Sequence, residues 1–245
     1  RREQRVLMCM LDTVDFVAVF LGCIKAGIVP VPVNTRLTAK DYSFMLDDSR
    51  AAALVVSEPL YPLFEEDIDA HPALEQVIVS GADSLGHKGL SDLIAAASDR
   101  FEPVRTRRDD MCFWLYTSGT TGMPKATRIT NSRLQIMLRT FIAPCYTGPR
   151  DRVYITLPLY HGTGGICGVG QAMMSGASIV LRRKFSASAF WDDVVDEGVT
   201  SIVYIGELCR YLLNRPPHPK ERAHRLQTGF GNGLRPEIWT EFRER

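Results

Sequence analysis

Apolar residues fall in short runs along this chain, and each run stops at a polar residue, a glycine or a proline. "RVLMCML" near the N-terminus reads as a buried strand closed by Asp12 and Thr13. A helical pattern then runs to Ala26 and stops at Gly27. "IVPVPVN" is extended, because its alternating prolines forbid a helix and suit an edge or a strand end. Thr38 is placed to cap a helix ending near Ser49. "AAALVVS" and "QVIVSG" are the next strands, with a helix carrying "EEDIDA" between them, and "LSDLIAAA" is a short helix.

The charged stretch Phe101 to Asp110, with Pro103 inside it, reads as a linker between two lobes, residues 1–108 and 109–245. The second lobe opens with the strand "MCFWLYTS" and turns helical from about Asn131. "RVYITLP", "ASIVLR", "TSIVYIG" and "LQTGFG" are further strands. "GQAMMSG", "SAFWDDVVDEG", "ELCRYLLN" and "PEIWTEFRER" between and after them have helical composition. Strand and helix alternate through both lobes, the pattern of an α/β fold with parallel sheets flanked by helices.

Composition narrows the classes. Apolar residues make 45% and charged residues 23% of the 245, ordinary for a globular protein. A net charge of +1 argues against nucleic acid as a partner. The 6 cysteines are spaced too widely for a metal knuckle and sit mostly in apolar runs, which predicts buried free thiols of a reducing compartment. The longest apolar run, Phe16 to Ile24, falls short of the ~20 residues that span a bilayer. The first residue is Arg, so the chain is expected to be cut from something longer.

The chemistry concentrates in "YTSGTTGMPKA", Tyr116 to Ala126, placed at the carboxyl end of a strand, where α/β sheets bind ligands. Gly119 and Gly122 allow positive φ and let main-chain N–H groups converge on an anion. Thr117, Ser118, Thr120 and Thr121 add hydroxyls, and Lys125 adds a point charge stiffened by Pro124. The order of residues is not that of a P-loop, since Lys125 precedes Ala126.

This segment resembles the phosphate-binding signature of the adenylate-forming superfamily, which includes acyl-CoA synthetases, aryl-CoA ligases and luciferases. "LPLYHGTGGICGVGQAMMSGASIVLRRKFSASAFWDD", "VYIGELCRYLLN" and "GFGNGLRPEIW" resemble the fatty-acid transport protein branch of long- and very-long-chain acyl-CoA synthetases. The segments upstream, with "RRDDMCFWLYTSG", look more like benzoate-CoA ligases. The resemblance implies an acid–thiol ligase that uses ATP, Mg²⁺ and CoA to turn a carboxylic acid into an acyl-adenylate and then a thioester. A fatty acid is the expected substrate and an aryl acid the alternative. It also implies that Thr117, Ser118, Gly119, Thr120, Thr121, Gly122 and Lys125 hold phosphates, and that Gly231, Asn232 and Gly233 lie against adenine. Tyr160 and His161 fall at the mouth of the acyl pocket, with His161 and Lys125 in the catalytic roles. Tyr204, Gly206 and Leu208 border the pockets, though strand and helix-start packing explains them equally well.

By the same resemblance the chain is the large N-terminal domain in part. Later family elements, among them the small C-terminal domain, are expected beyond Arg245, and the isolated piece is expected to have little activity. The branch is cytoplasmic or attached peripherally to membranes. Two other classes compete. "GTGGICGVG", with Arg182 and Arg183 after it, has the setting of a dinucleotide fingerprint and suggests an NADP-dependent oxidoreductase, although Cys167 stands where its third glycine belongs. A non-catalytic remnant binding nucleotide or acyl chain is the other. "LRRKF" reads as a solvated strand end.

Overall fold

A computed structural model describes residues 2–66, 68–117 and 123–245. The chain divides into two compact units, Arg1–Leu134 and Gln135–Arg245.

The first unit runs β1 (Arg5–Cys9), α1 (Val14–Lys25), β2 (Val29–Pro32), α2 (Ala39–Ser49), β3 (Ala53–Ser57), β4 (Gln76–Ser80), β5 (Lys88–Gly89) and α3 (Leu90–Ala96), followed by β6 (Met111–Thr117) and β7 (Lys125–Thr130). β1 to β5 form a parallel sheet in the order β2-β1-β3-β4-β5. The proline-bearing β2 takes the edge, where a missing N–H costs least. Leu7, Cys9, Val31, Leu54 and Val56 bury their side chains against Tyr42, Met45 and Leu46 of α2. That helix starts in a capping box. Thr38 Oγ1 accepts from the Asp41 N–H at 3.3 Å, and Asp41 Oδ2 accepts from the Thr38 N–H at 3.0 Å. Past the end of α1, Gly27 has φ of 68°, the left-handed geometry that glycine tolerates without strain.

The sequence reading is corrected at several points here. Among the described residues of the stretch with "EEDIDA" there is no α-helix: 3-10 turns occupy Glu58–Leu63 and Ile68–Ala70. Pro59 and Pro62 remove the N–H groups an α-helix needs there. Residues 101–107 are extended and exposed as a linker would be, but they lie inside the first unit. Arg2 is bonded to Asp110 at 2.5 Å, and Asn131 Nδ2 donates to the Arg107 carbonyl at 2.9 Å. The lobe boundary near 108 therefore moves to 134. β6 does not begin a parallel sheet; it pairs antiparallel with β7, a strand the reading missed.

The second unit takes in the C-terminal part of α4 (Asn131–Arg139). It continues with β8 (Arg152–Ile155), α5 (Val169–Ser175), β9 (Ser178–Leu181), α6 (Phe190–Asp196), β10 (Ser201–Ile205), α7 (Gly206–Leu213), β11 (Thr228–Asn232) and α8 (Pro236–Glu244). Its parallel sheet has the order β11-β10-β8-β9. One face buries Tyr154, Val180 and Ile202 against Phe190 and Val194 of α6.

Arg182, expected at a solvated strand end, instead makes bonds of 3.0 and 2.9 Å to Asp193 and one of 3.2 Å to Glu197. The Tyr154 hydroxyl donates to the same Asp193 at 2.7 Å. Burial alone pushes the Asp193 carboxyl up. The bonds from Arg182 and Tyr154, with the Arg182 charge, outweigh it and hold the group below the usual carboxylate range.

Burial pushes the thiols of Cys9, Cys23 and Cys112 up to about 12, so none is a ready nucleophile at neutral pH. All 6 cysteines are free, as expected, with Cys23 and Cys167 half-buried.

Two stability predictions follow from this packing. A Cβ on Gly165 would overlap the Leu159 carbonyl oxygen, which is backbone and cannot swing aside. Gly165→Ala should cost about 2 kcal/mol or more in urea unfolding, and an unchanged midpoint would contradict this packing. Because the Asp193 pKa is lowered on folding, its contribution is present above the unfolded carboxylate pKa and is lost as pH falls through the folded one. Asp193→Asn should cost about 1–2 kcal/mol at pH 7 and flatten the acid limb of the stability curve. Parallel acid limbs for the two proteins would refute the assignment.

Candidate functional site

The candidate phosphate loop is the tip of the β6–β7 hairpin. Thr117 ends β6 and Lys125 opens β7, and the two are register partners. Thr117 Oγ1 donates to the Lys125 carbonyl at 3.3 Å, closing the base of the hairpin. Ser118, Gly119, Thr120, Thr121 and Gly122 lie outside the described residues.

The hairpin stands on α2. The Tyr116 hydroxyl donates to Asp48 Oδ2 at 2.6 Å, and burial together with that carboxylate pushes the phenol well above its ordinary pKa. Trp114 carries the Arg5 guanidinium at 5.9 Å from its ring centroid. Between α2 and the hairpin runs a groove of about 530 Å³, lined among others by Phe44, Asp48, Trp114, Lys125 and Arg128. Sequence reasoning missed Asp48, which lies 68 residues from its partner Tyr116 and carries no local signal. It also missed Arg128, hidden in a strand of mixed polarity.

In the second unit, His161 is exposed and begins the helical turn Gly162–Gly168. Its Nδ1 accepts from the Thr163 N–H at 3.3 Å, and the Gly165 N–H donates to its carbonyl at 2.9 Å. Accepting at Nδ1 puts the proton of the neutral ring on Nε2. A capping role is therefore present, and it leaves Nε2 as the chemically distinct edge. Tyr160 beside it is half-buried.

The glycines after His161 meet backbone. A Cβ on Gly164 would come within 2.6 Å of the Leu157 carbonyl oxygen and 2.7 Å of that of Pro158. They let the π-helical turn pack onto the "LPLY" segment, and Arg182 is already held by Asp193 and Glu197. The dinucleotide reading loses its glycine cradle and one of its two arginines, Arg182.

The remaining candidates of this unit come together. Tyr204 pairs in register with Gly231, and Ile205 with Asn232. A Cβ on Gly231 would strike the Tyr204 carbonyl and come within 2.8 Å of its ring; one on Gly206 would strike the Gly233 carbonyl. Gly233 has φ of 71°. Asn232 and Gly233 are exposed at the end of β11. Leu208 is buried in α7, as simple packing predicts.

Next to this cluster lies a mostly apolar cavity of about 600 Å³, lined among others by Trp191, Ile202, Tyr204, Leu212, Trp239 and Phe242. Gly229 puts no side chain into it, while Phe230 stacks on Phe141 with ring centroids 3.9 Å apart.

Among the described residues no group of three or more His, Cys, Asp or Glu side chains could hold a metal ion.

Known proteins resemble this chain in sequence and in fold. The chain is 39% identical over 240 residues to human long-chain fatty acid transport protein 1, covering 94% of this chain and 37% of that protein. It is 37% identical over 248 residues to the benzoate–CoA ligase of Thauera aromatica, covering 99% of this chain and 46% of that ligase. It therefore spans less than half the length of these relatives.

Among solved structures, a benzoate CoA ligase from Burkholderia xenovorans LB400 superposes with a TM-score of 0.84 at 29% identity, covering 94% of this chain and 46% of that one. The inhibitor-bound N-terminal domain of FACL13 from Mycobacterium tuberculosis gives 0.88 at 26% identity, covering 99% and 60%. Both kinds of relative expected from the sequence are present, and an oxidoreductase reading is overturned. The AMP-binding enzyme family matches residues 1–245 throughout, and the chain belongs to it.

Proposed function

We propose that this chain is the nucleotide-handling part of an ATP-dependent acid–thiol ligase whose substrate is a long- or very-long-chain fatty acid. The observation that carries the reading is the hairpin base. It sets an exposed lysine opposite a threonine hydroxyl at the two ends of a glycine-rich loop.

In the proposed reaction the substrate carboxylate oxygen attacks the α-phosphorus of ATP. An O–P bond forms, the bond to the pyrophosphate group breaks, and an acyl-adenylate results. The thiol sulfur of CoA then attacks the acyl carbon, and AMP leaves. The nucleophile belongs to the substrate, which fits a chain whose thiols are raised by burial.

Lys125 and Thr117, with Ser118, Gly119, Thr120, Thr121 and Gly122, would hold the β- and γ-phosphates and meet the charge that grows on the departing pyrophosphate. In the second unit, Gly231, Asn232 and Gly233 would receive adenine. His161 would face the reacting carboxylate with Tyr160 beside it.

The cavity at Tyr204 supports a fatty over an aryl substrate. At about 600 Å³ and mostly apolar, it has more room than one aromatic ring uses. The chain is also 37% identical to a benzoate–CoA ligase, which keeps an aryl acid as the second reading. Peripheral membrane attachment stays part of the proposal; among the described residues no helix is long and apolar enough to cross a membrane.

Two experiments test this. In calorimetric titration, Lys125→Ala should weaken ATP binding about tenfold or more and leave AMP binding unchanged, since a charge-assisted contact is worth ~1.5–3 kcal/mol. Equal affinities for ATP would refute the lysine's role. Trp191 and Trp239 line the cavity, so hexadecanoate should change tryptophan emission at concentrations where benzoate does not. The reverse order would select the aryl alternative.

A further inference from the structure

The apolar cavity beside β10 and the turn that His161 opens lie on opposite faces of one sheet. Ile202 and Tyr204 of β10 line the cavity. Val203 between them points the other way, because side chains alternate along a strand. A Cβ on Gly168, the last residue of the turn Gly162–Gly168, would come within 3.1 Å of Val203 Cγ2 and of Ile155 Cδ1. The turn therefore packs on the face that the cavity does not share.

The charged part of the cavity wall stands at the amino end of the sheet. Arg222 and His224 line it from the connection between α7 and β11, ahead of Thr228, the first residue of β11. Arg222 Nη2 donates to the Glu244 carbonyl at 3.0 Å, which brings the last turn of α8, with Arg243, to the same end. Asn232, at the carboxyl end of β11, is roughly 13 Å of strand away from Thr228.

This end of the wall is cationic. Its one acid, Glu221, is buried and paired with Arg245, Nε to Oε1 at 2.6 Å, while its Oε2 accepts from the His218 N–H at 2.8 Å. Arg222, His224 and Arg243 are exposed. Arg243 takes part in no ion pair or hydrogen bond among the described residues. His224 stacks on Trp191 with ring centroids 5.5 Å apart, and its Nδ1 accepts from the Leu226 N–H at 3.0 Å, so the neutral ring carries its proton on Nε2. Each of the three presents a donor.

We propose that the cavity is a holding site for a long-chain fatty acid, with the alkyl chain among Trp191, Leu212, Trp239 and Phe242 and the carboxylate at Arg222, His224 and Arg243. A mostly apolar space of about 600 Å³ ending in donors fits a single-chain anion. Held this way, the head group points away from the carboxyl ends of the strands. The site keeps a second molecule of the substrate, apart from the one that reacts. The proposal rests on the reading that the substrate is a fatty acid. It adds a second place for that acid and the direction of its head group.

Titration followed by tryptophan emission tests it, with hexadecanoate and its uncharged methyl ester each below its aggregation limit. The wild-type chain should bind hexadecanoate about tenfold more tightly than the ester. Arg243→Gln should weaken hexadecanoate about three- to tenfold and leave the ester unchanged, and Arg243→Lys should keep most of the preference. Arg225→Gln, which removes an exposed arginine of the same connection that is not on the wall, should change neither affinity. In equilibrium dialysis, a non-hydrolysable hexadecanoyl-adenylate analogue should bind without displacing labelled hexadecanoate. The proposal is overturned if hexadecanoate does not bind, if acid and ester bind equally, if Arg243→Gln and Arg225→Gln behave alike, or if the analogue displaces the acid. In the last three cases bound hexadecanoate still upholds the fatty reading. A chain that binds benzoate and not hexadecanoate brings down that reading together with the site.

Discussion

The antiparallel pairing of β6 with β7 fixes where a single lysine can stand. A strand has a period of two, so a slip of one residue would move every side chain of β7 to the other face. The register is held from both sides. Thr117 bonds the Lys125 carbonyl at the mouth of the hairpin, and Tyr116 is tied to Asp48 of the helix beneath it. Phe113 and Ile129, partners in the same register, are buried. The loop is therefore free to be rich in glycine and hydroxyls, because its ends are set by neighbours that are not.

A second constraint acts in the other unit, where backbone must approach backbone. Gly165, Gly206 and Gly231 each sit where a Cβ would overlap a carbonyl of a different segment. Their absent side chains let the turn after His161 pack onto the chain before it, and let β11 lie close against Tyr204.

Much of this was legible in the sequence. The strands β1, β3, β4, β8, β9 and β10 are apolar runs bounded by breakers, and the Thr38 cap and the Gly27 stop are local chemistry with local signals. The candidate loop stands out in the sequence by its glycines, hydroxyls and single lysine, and its two ends, Thr117 and Lys125, are register partners. What escaped had no local signal. β7 mixes lysine, threonine and arginine, and only its partner β6 makes it a strand. In place of the helix expected over "EEDIDA" the described residues carry 3-10 turns, for which the sequence held no local signal. Arg182 looked solvated because Asp193 and Glu197 reach it only through the fold, and Asp48 gave no hint of Tyr116 for the same reason. The lobe boundary was misplaced because a charged, exposed stretch resembles a linker even when its C-terminal end is pinned, as Arg2 and Asn131 pin this one at Asp110 and Arg107.

The central claim is that the base of the hairpin meets the phosphates of ATP. A crystal structure of the chain with a non-hydrolysable ATP analogue tests it most directly. The account predicts phosphate oxygens within hydrogen-bond distance of Lys125 Nζ, at the end of the loop that Thr117 and Lys125 close. A nucleotide bound with its phosphates away from the hairpin, and Lys125 in solvent, would contradict it.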